Sequence, residues 1–148
     1  MAKTTVEAHM TVSPVVIGSE RTLADARRLM RERGIRHLPV VDAGALVGVV
    51  SQRDLYLAES LRGVDPATDT VREAMSADPY AVPPGTALEE VAAAMAERKL
   101  GSAVVVDRGS VIGLFTTVDA LRALAALAGR RRSKGRAPAG ARRDDGSR

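Results

Sequence analysis

The chain lacks cysteine altogether and contains only three aromatic residues among 148. Without cysteine it forms no disulfide framework, cysteine-based metal site or thiol nucleophile, which suits a reducing compartment. Tyr56, Tyr80 and Phe115 are too few for a platform on which nucleic-acid bases stack. No segment approaches the roughly 18 uninterrupted apolar residues of a membrane span, and the N-terminus has no apolar stretch of signal-peptide length. We therefore expect a cytoplasmic protein without a membrane segment.

Catalytic motifs are equally scarce. The two histidines, His9 and His37, do not have the spacing of a metal-ligand pair. The sequence contains neither a G-x-S-x-G nucleophile motif nor a phosphate-binding loop. These absences predict a protein that is not an enzyme and that carries no metal and no resident cofactor.

Positive charge is concentrated at the C-terminus. Residues 129–148 carry eight basic and two acidic side chains, whereas residues 1–128 carry 14 basic and 16 acidic ones. Because the segment from residue 128 is rich in Gly, Ser, Pro and Arg and has no apolar face, it is predicted to be a disordered basic tail. Such a tail can hold nucleic acid or another anionic surface through counterion release. A general preference for arginine, which outnumbers lysine 19 to 3, accounts for part of this composition and is the stronger interpretation of the tail.

An internal repeat organises the rest of the chain. Sliding the sequence by 65 residues gives 15 identities over 54 gapless positions, far more than chance supplies. Both copies place a Gly, a hydroxyl residue and an Asp at steps of three, in GVVSQRD (48–54) and GLFTTVD (113–119). We predict a first repeat at 5–62, a linker at 63–69 and a second repeat at 70–127.

Each repeat is predicted to be a β-α-β-β-α unit. Residues 22–34 place their apolar side chains on one helical stripe, with Thr22 and Asp25 at the start and Gly34 at the end. Two apolar, β-branched runs around DAG predict a hairpin, and a second helix follows over residues 54–61. A brief strand at PVVIG comes first. Because the hairpin strands are apolar at nearly every position, both faces should be covered, one by helices and one by the other repeat.

The order of elements, the LPVVD strand and the two Gly-hydroxyl-Asp endings resemble a tandem pair of cystathionine-β-synthase (CBS) domains, the Bateman module, from residue 5 to about residue 126. The resemblance implies an α/β (α+β) fold whose repeats pack by pseudo-two-fold symmetry. It implies a regulatory unit that binds AMP, ADP, ATP or another adenosyl compound in clefts between the repeats. It further implies a homodimer and an unknown effector protein that receives the signal. The second repeat departs from the pattern at Val104, where the first has Pro39.

In such a pair the acidic residue of each ending would bind the sugar. Asp54 and Asp119 would each accept hydrogen bonds from the ribose hydroxyls, and the nearby helix terminus would favour their charge. Ser51 and Thr116 would offer a hydroxyl to ribose or phosphate. The preceding glycines, at positions 48 and 113, would leave room for the ligand or for the other repeat.

The two clefts are predicted to differ in charge. Arg36, His37 and Arg53 should give the Asp54 cleft the tighter grip on phosphate, because arginine binds phosphate oxygens bidentately. Their counterparts in the second repeat are Gly101, Ser102 and Val118. The Asp119 cleft, with Lys99 at most nearby, would take a less charged adenosyl compound or stay empty. Adenine is predicted to pack on Val15, Val16 and Ile35 in the Asp54 cleft and on Tyr80, Ala81 and Leu100 in the Asp119 cleft.

Other interpretations of the same residues remain open. A hydroxyl followed three residues later by an acid is also a capping box, which a helix uses whether or not a ligand binds, and one side chain can serve both purposes. Arg36 can be a plain surface charge, and His37 an ordinary half-buried histidine. An acid-base pair is disfavoured because the two aspartates lie in different repeats. The alternative to a sensor is a ligand-free interaction module whose basic tail binds nucleic acid or another anionic surface.

Overall fold

Two sheets and four helices make up the described part of the chain. A computed structural model describes residues 4–140, with side chains through residue 132. The first repeat contains β2 (Ile17–Gly18), α1 (Leu23–Arg33), β3 (His37–Asp42), β4 (Ala45–Ser51) and α2 (Gln52–Glu59). The second contains β5 (Ala81–Val82), α3 (Leu88–Arg98), β6 (Ser102–Asp107), β7 (Ser110–Thr116) and α4 (Thr117–Gly140). The predicted mixed fold of two β-α-β-β-α repeats is confirmed.

The hairpins have the same turn in both repeats. The turn residues Ala43 and Gly44 have φ of 52° and 84°, and Arg108 and Gly109 have φ of 53° and 81°. Two consecutive positive φ values are typical of the tight turns whose twist matches that of antiparallel strands. In each repeat the first strand then pairs in parallel with the first strand of the hairpin, β2 with β3 and β5 with β6.

Helix ends follow the local sequence closely. The Thr22 hydroxyl accepts a hydrogen bond from the Asp25 N–H at 3.1 Å, which completes a capping box at the start of α1, and Gly34 ends the helix with φ of 65°. The helix α2 begins two residues earlier than predicted because Ser51 is its N-cap. In the second repeat a non-glycine residue, Lys99, takes the left-handed position that ends α3, with φ of 57°.

The segment that leads into each repeat packs on the other repeat. Val6 is fully buried in the core of the second repeat, and its N–H donates to the carbonyl oxygen of Thr86 at 2.9 Å. Val71, at the matching position, is fully buried in the core of the first repeat, and its N–H donates to the carbonyl oxygen of Arg21 at 2.8 Å. The two leading segments are therefore exchanged, and the repeats are held together by two separate sets of buried contacts.

The exchange extends into the sheets. The leading strand β1 (Thr11–Val12) pairs with β7, so that one sheet has the order β1-β7-β6-β5 and the other has the order β2-β3-β4. In the matching place, Ser76 and Val49 exchange backbone hydrogen bonds of 2.9 and 3.1 Å. The leading segment of each repeat thus lies along the last strand of the other.

Glycine is required where these segments cross the hairpins. A Cβ atom at Gly48 would lie 2.6 Å from the carbonyl oxygen of Ser76, and one at Gly113 would overlap the side chain of Met10. The sequence left open whether a ligand or the other repeat approaches these glycines. In the structure, the approaching group is the exchanged segment.

The last helix extends beyond the predicted end of the second repeat. The sequence places a disordered tail from residue 128, whereas α4 continues through residues 128–140. Extending an existing helix costs less than nucleating one, and Arg130, Arg131 and Arg132 are good helix formers, so these residues continue the helix. Arg130, Arg131 and Arg132 are exposed on it. The prediction for residues 141–148 lies outside the described residues.

Candidate functional site

The strand-to-helix corner of the first repeat leaves part of its carboxylate unused. Asp54 Oδ2 accepts a hydrogen bond from the Ser51 N–H at 2.8 Å, and the Ser51 hydroxyl accepts one from the Asp54 N–H at 3.0 Å. Ser51 and Asp54 therefore form the capping box that the sequence allowed. Among the residues whose side chains are described, none donates to Asp54 Oδ1, and Asp54 is only half-buried. One carboxylate oxygen caps the helix while the other is available to an outside donor.

The corresponding corner of the second repeat is more enclosed. Asp119 Oδ2 accepts a hydrogen bond from the Thr116 N–H at 2.9 Å, and the Thr116 hydroxyl accepts one from the Asp119 N–H at 3.3 Å. In addition, the Thr11 hydroxyl lies 3.4 Å from both carboxylate oxygens, and Arg122 Nη1 lies 3.8 Å from Oδ1. Asp119 is only 6% exposed. This carboxylate is already surrounded by the protein's own donors.

A hollow of about 600 Å³ adjoins Asp54, and elements of both repeats line it. The first repeat provides the corner at the end of β4, and the second provides the segment before β5 and the junction between α3 and β6. We call this hollow the Asp54 cleft. Its lining residues are Arg36, His37, Val49, Ser51, Gln52, Arg53, Asp54, Ser76, Asp78, Pro79, Tyr80, Lys99, Leu100, Gly101, Ser102 and Thr117.

A second hollow, of about 540 Å³, adjoins Asp119 and is built from the matching elements with the repeats interchanged. We call it the Asp119 cleft. Its lining residues are Thr11, Ser13, Pro14, Val15, Gly34, Ile35, Arg36, His37, Leu114, Thr116, Thr117, Val118, Asp119 and Arg122. The hollow shared by two repeats, which the sequence predicted at each corner, is thus present twice.

The structure corrects which apolar residues belong to which cleft. Val15 and Ile35 were predicted for the Asp54 cleft but line the Asp119 cleft. Tyr80 and Leu100 were predicted for the Asp119 cleft but line the Asp54 cleft. Lys99 likewise lies in the Asp54 cleft. The exchange of leading segments brings the start of each repeat to the corner of the other and so explains Val15 and Tyr80. Ile35, Lys99 and Leu100 lie at the junctions between helix and hairpin, and each junction lines the cleft of the other repeat.

Two predicted contacts lie in neither cleft. Val16 lines a separate surface groove beside α1, and Ala81 is exposed in β5. Each directly follows a residue that does line a cleft, Val15 or Tyr80. Neighbouring side chains in an extended segment point to opposite sides, so Val15 and Tyr80 face the clefts and their neighbours face away.

Arg36 and His37 line both clefts rather than the Asp54 cleft alone. The His37 ring lies against Gly101, where an added Cβ would be 2.6 Å from His37 Nε2. Burial lowers the pKa of His37 below its usual value, the nearby Asp54 carboxylate opposes that change, and Arg36 adds to it. The imidazole is therefore mainly neutral at pH 7.

Several cleft residues were missed by sequence reasoning. Thr11, Asp78 and Arg122 line the clefts without belonging to a recognised motif, and Thr117 lines both clefts although only Thr116 and Asp119 of its motif were singled out. The 65-residue offset relates most of the lining residues in pairs, so it could have extended the list once one cleft was known. It could not have revealed the exchange, because an exchanged and an unexchanged pair have the same internal repeat.

The described residues contain no group of three or more His, Asp or Glu side chains placed to hold a metal ion. Within residues 4–140, no helix combines the length and the apolar character needed to cross a membrane.

Curated relatives of similar sequence include an enzyme and a CBS domain-containing protein. This chain is 38% identical over 106 residues to inosine-5'-monophosphate dehydrogenase of Korarchaeum cryptofilum, a match that covers 71% of this chain and 21% of the relative. The chain therefore spans about a fifth of that enzyme. It is 28% identical over 114 residues to the CBS domain-containing protein YhcV of Bacillus subtilis, covering 77% of this chain and 81% of the relative.

Solved structures share the fold over nearly their full length. A Vibrio cholerae protein described as an acetoin utilization protein (AcuB) is 33% identical, with a TM-score of 0.79, covering 89% of this chain and 98% of that one. CBSX2 in complex with AMP is 30% identical, with a TM-score of 0.73 and coverage of 83% and 97%. The CBS domain pair of MJ0100, in complex with 5'-methylthioadenosine and S-adenosyl-L-methionine, is 25% identical, with a TM-score of 0.73 and coverage of 82% and 99%.

The family comparison agrees with the internal repeat. The model of the CBS domain matches residues 6–60 and residues 71–126, one match for each repeat. The observed β-α-β-β-α units and the solved CBS pairs of the same shape lead to the same assignment. The chain belongs to the CBS domain family and is a tandem pair of such domains.

Proposed function

We propose that this CBS pair is a non-catalytic regulatory module that binds an adenine nucleotide or a related adenosyl compound between its repeats. The observation that carries the proposal is the Asp54 carboxylate, which lines a hollow of about 600 Å³ and keeps Oδ1 without a donor among the described residues. The complexes of CBSX2 with AMP and of MJ0100 with two adenosyl compounds support this ligand class.

The Asp54 cleft offers a partner for each part of a nucleotide. Asp54 Oδ1 accepts a hydrogen bond from a ribose hydroxyl. Because the carboxylate is charged, this hydrogen bond is stronger than one between two neutral groups. Arg36, Arg53 and Lys99 supply positive charge for phosphate oxygens. Tyr80 and Leu100 supply apolar surface for the base, with the Arg98 guanidinium 5.0 Å from the centre of the Tyr80 ring.

The signalling mechanism follows from the composition of the cleft. A ligand that contacts Asp54 of the first repeat and Leu100 of the second favours the relative orientation of the repeats in which both contacts form. The shift in population is limited by the difference in affinity for the two orientations. A partner protein then binds one orientation better than the other.

We also propose that the module pairs into a homodimer through the outer faces of α2 and α4. These helices and the turn after α2 expose large apolar side chains, namely Tyr56, Leu57, Leu61, Val118, Leu121 and Leu124, each at least 50% exposed. A helix that exposes several large apolar side chains is typical of an interaction surface. Leu121→Glu and Leu57→Glu should give monomers in analytical ultracentrifugation, and a monomeric parent chain would contradict the proposal.

Calorimetric titration tests the ligand. AMP, ADP, ATP and S-adenosylmethionine are titrated separately into the full chain, and at least one should bind with micromolar affinity. Asp54→Ala should weaken that binding by at least about tenfold, because hydrogen bonds to a charged group are worth about 1.5 to 3 kcal/mol.

Asp25→Ala is the matched control for the helix cap. Asp25 holds the same position in the capping box of α1 but lines neither cleft. Its replacement should lower stability to a similar extent while leaving the ligand affinity unchanged. If none of the four ligands binds, the proposal is refuted. It is also refuted if Asp54→Ala and Asp25→Ala weaken ligand binding equally.

The alternative function has one observation in its favour, the exposed Arg130, Arg131 and Arg132 on the extension of α4. If the clefts are unused, the chain should instead bind DNA in a salt-sensitive manner. Removal of residues 129–148 should then abolish that binding.

A further inference from the structure

The two clefts meet at a common wall. Arg36, His37 and Thr117 line both of them. The Arg36 carbonyl oxygen accepts a hydrogen bond from the Gln52 N–H at 2.8 Å, so the junction that carries Arg36 is attached to the Asp54 corner. The Gly101 carbonyl oxygen accepts one from the Thr117 N–H at 3.2 Å, so the matching junction is attached to the Asp119 corner. The wall is therefore built where the two repeats touch.

The wall cannot provide a separate cation for each cleft. The 65-residue offset relates Arg36 to Gly101 and His37 to Ser102, so the second repeat has neither side chain. The His37 ring fills the space beside Gly101, where a Cβ atom would be 3.3 Å from Cε1 and closer still to Nε2. A side chain at position 101 would therefore require the imidazole to move, so the asymmetry is part of the packing.

The charges of the clefts show what the shared wall contributes. In the Asp54 cleft, Arg53 and Lys99 are balanced by two carboxylates, those of Asp54 and Asp78. In the Asp119 cleft, Arg122 is balanced by Asp119. Since His37 is mainly neutral at pH 7, the excess positive charge of either cleft is that of Arg36. Each hollow thus has one cation more than it has carboxylates, and Arg36 is the cation that lines both hollows.

We propose that the chain binds one phosphate-bearing nucleotide at a time, and that the cleft left without phosphate accepts an uncharged adenosyl compound. The inference rests on the proposed adenosyl binding and adds a rule of occupancy to it. A first phosphate uses the charge of Arg36, so a second phosphate enters a hollow without net positive charge and close to another anion. An uncharged ligand meets no such penalty. Coupling of this kind is reciprocal, so either cleft, once filled with phosphate, weakens the other.

Calorimetry on the full chain tests the rule. AMP should bind at one per chain, with any second AMP at least about tenfold weaker, a coupling of the size common between linked sites. 5'-Methylthioadenosine, which has no phosphate, should then bind to the AMP-saturated chain at one per chain. Repeating the titrations with Asp54→Ala and Asp119→Ala identifies which cleft holds which ligand.

Substitutions of the shared cation separate charge from shape. Arg36→Gln should lower the affinity for the first AMP by at least about tenfold, so that the first and second AMP bind with similar affinity. Arg36→Lys, which keeps the charge, should retain the unequal binding. Arg31→Gln is the control, because Arg31 is an exposed arginine of α1 that lines neither cleft. It should leave all affinities unchanged, and thermal melts of each variant verify folding.

Two results would overturn the rule while leaving the proposed function standing. One is two AMP molecules bound per chain with equal affinity, both sensitive to substitution of their aspartate. The other is an AMP-saturated chain that does not bind 5'-methylthioadenosine, because bound AMP would then exclude the second ligand by its size and not by its charge. If neither compound binds at all, the proposed function fails and the rule fails with it.

Discussion

The two strand-to-helix corners have the same capping box but leave their carboxylates in different states. Asp54 is half-buried and has one oxygen without a donor among the described residues. Asp119 is 6% exposed, and the Thr11 hydroxyl lies within 3.4 Å of both its oxygens. Ser76 occupies the place of Thr11 at the first corner, but no described hydrogen bond joins it to Asp54. A duplicated motif therefore need not give two equal sites, because its environment comes from elsewhere in the chain.

The largest effect is expected at the glycines before each corner. Gly48→Ala should lower the free energy of unfolding by about 2 to 3 kcal/mol, because its Cβ would meet the Ser76 carbonyl, which is fixed by strand pairing. Gly113→Ala should cost less, about 1 to 2 kcal/mol, because it meets the flexible side chain of Met10. Urea denaturation measures both. Gly85→Ala, with open space around it, should change stability little, and equal losses at Gly48 and Gly113 would contradict this account.

The second largest effect on stability is expected when the carboxylate of each corner is removed, and it should differ between the two corners. Asp54→Ala should cost about 1 kcal/mol of stability, the usual value of a helix cap. Asp119→Ala should cost about 2 kcal/mol, because it also leaves the Thr11 hydroxyl and the buried surroundings without their acceptor. Thermal unfolding without ligand measures the difference. A larger loss at Asp54 would show that the greater enclosure of Asp119 does not strengthen its bonds.

Substitutions in the two leading segments should change the free energy of unfolding by smaller amounts. Thr11→Val keeps the shape and removes the hydroxyl, so it should cost about 0.5 to 1 kcal/mol through the lost hydrogen bond to Asp119. Ser76→Ala should stay within about 0.5 kcal/mol of the parent, because Ser76 is exposed and its pairing with β4 uses backbone groups. Chemical denaturation at neutral pH compares the two, and an equal cost would remove the asymmetry between the corners.

The last effect depends on pH and concerns Asp25, whose capping box lies outside both clefts. The Arg21 side chain, together with the Thr22 backbone N–H, lowers the pKa of Asp25 from 3.8 to about 2. Because the folded-state pKa is below the unfolded one, the stabilisation is present above pH 3.8 and is lost as the pH falls through about 2. Asp25→Asn should flatten the loss of thermal stability across that window. High salt should reduce the difference, since the Arg21 partner is exposed.

Local features of the fold were predictable because their causes are local. The capping boxes of α1 and α2, the hairpin turn at Ala43–Gly44 and the end of α1 at Gly34 depend on residues within a few positions. The start of α2 was misplaced by two residues, because a Ser-x-x-Asp box puts the serine, and not the aspartate, at the N-cap. The helix α4 continues past residue 127, where the sequence placed the end of the second repeat.

The composition of the clefts was only partly predictable. Ser51, Arg53 and Asp54 belong to one corner, so a short stretch of sequence brings them together. The placement of Val15 and Tyr80 was wrong because it depends on contacts between residues far apart in the chain. No periodicity or spacing within a repeat specifies which repeat its leading segment will pack against.

By itself, the sequence determined that this protein consists of two β-α-β-β-α repeats of one family, each with an acid-capped helix after an apolar hairpin. Only the tertiary structure decided that Val6 and Val71 exchange cores, that each cleft combines the corner of one repeat with the start of the other, and that Arg36 and His37 stand between the two clefts. The physical reason is that caps and turns are stabilised by neighbours in the chain, whereas burial of a leading segment depends on which distant surface it fits.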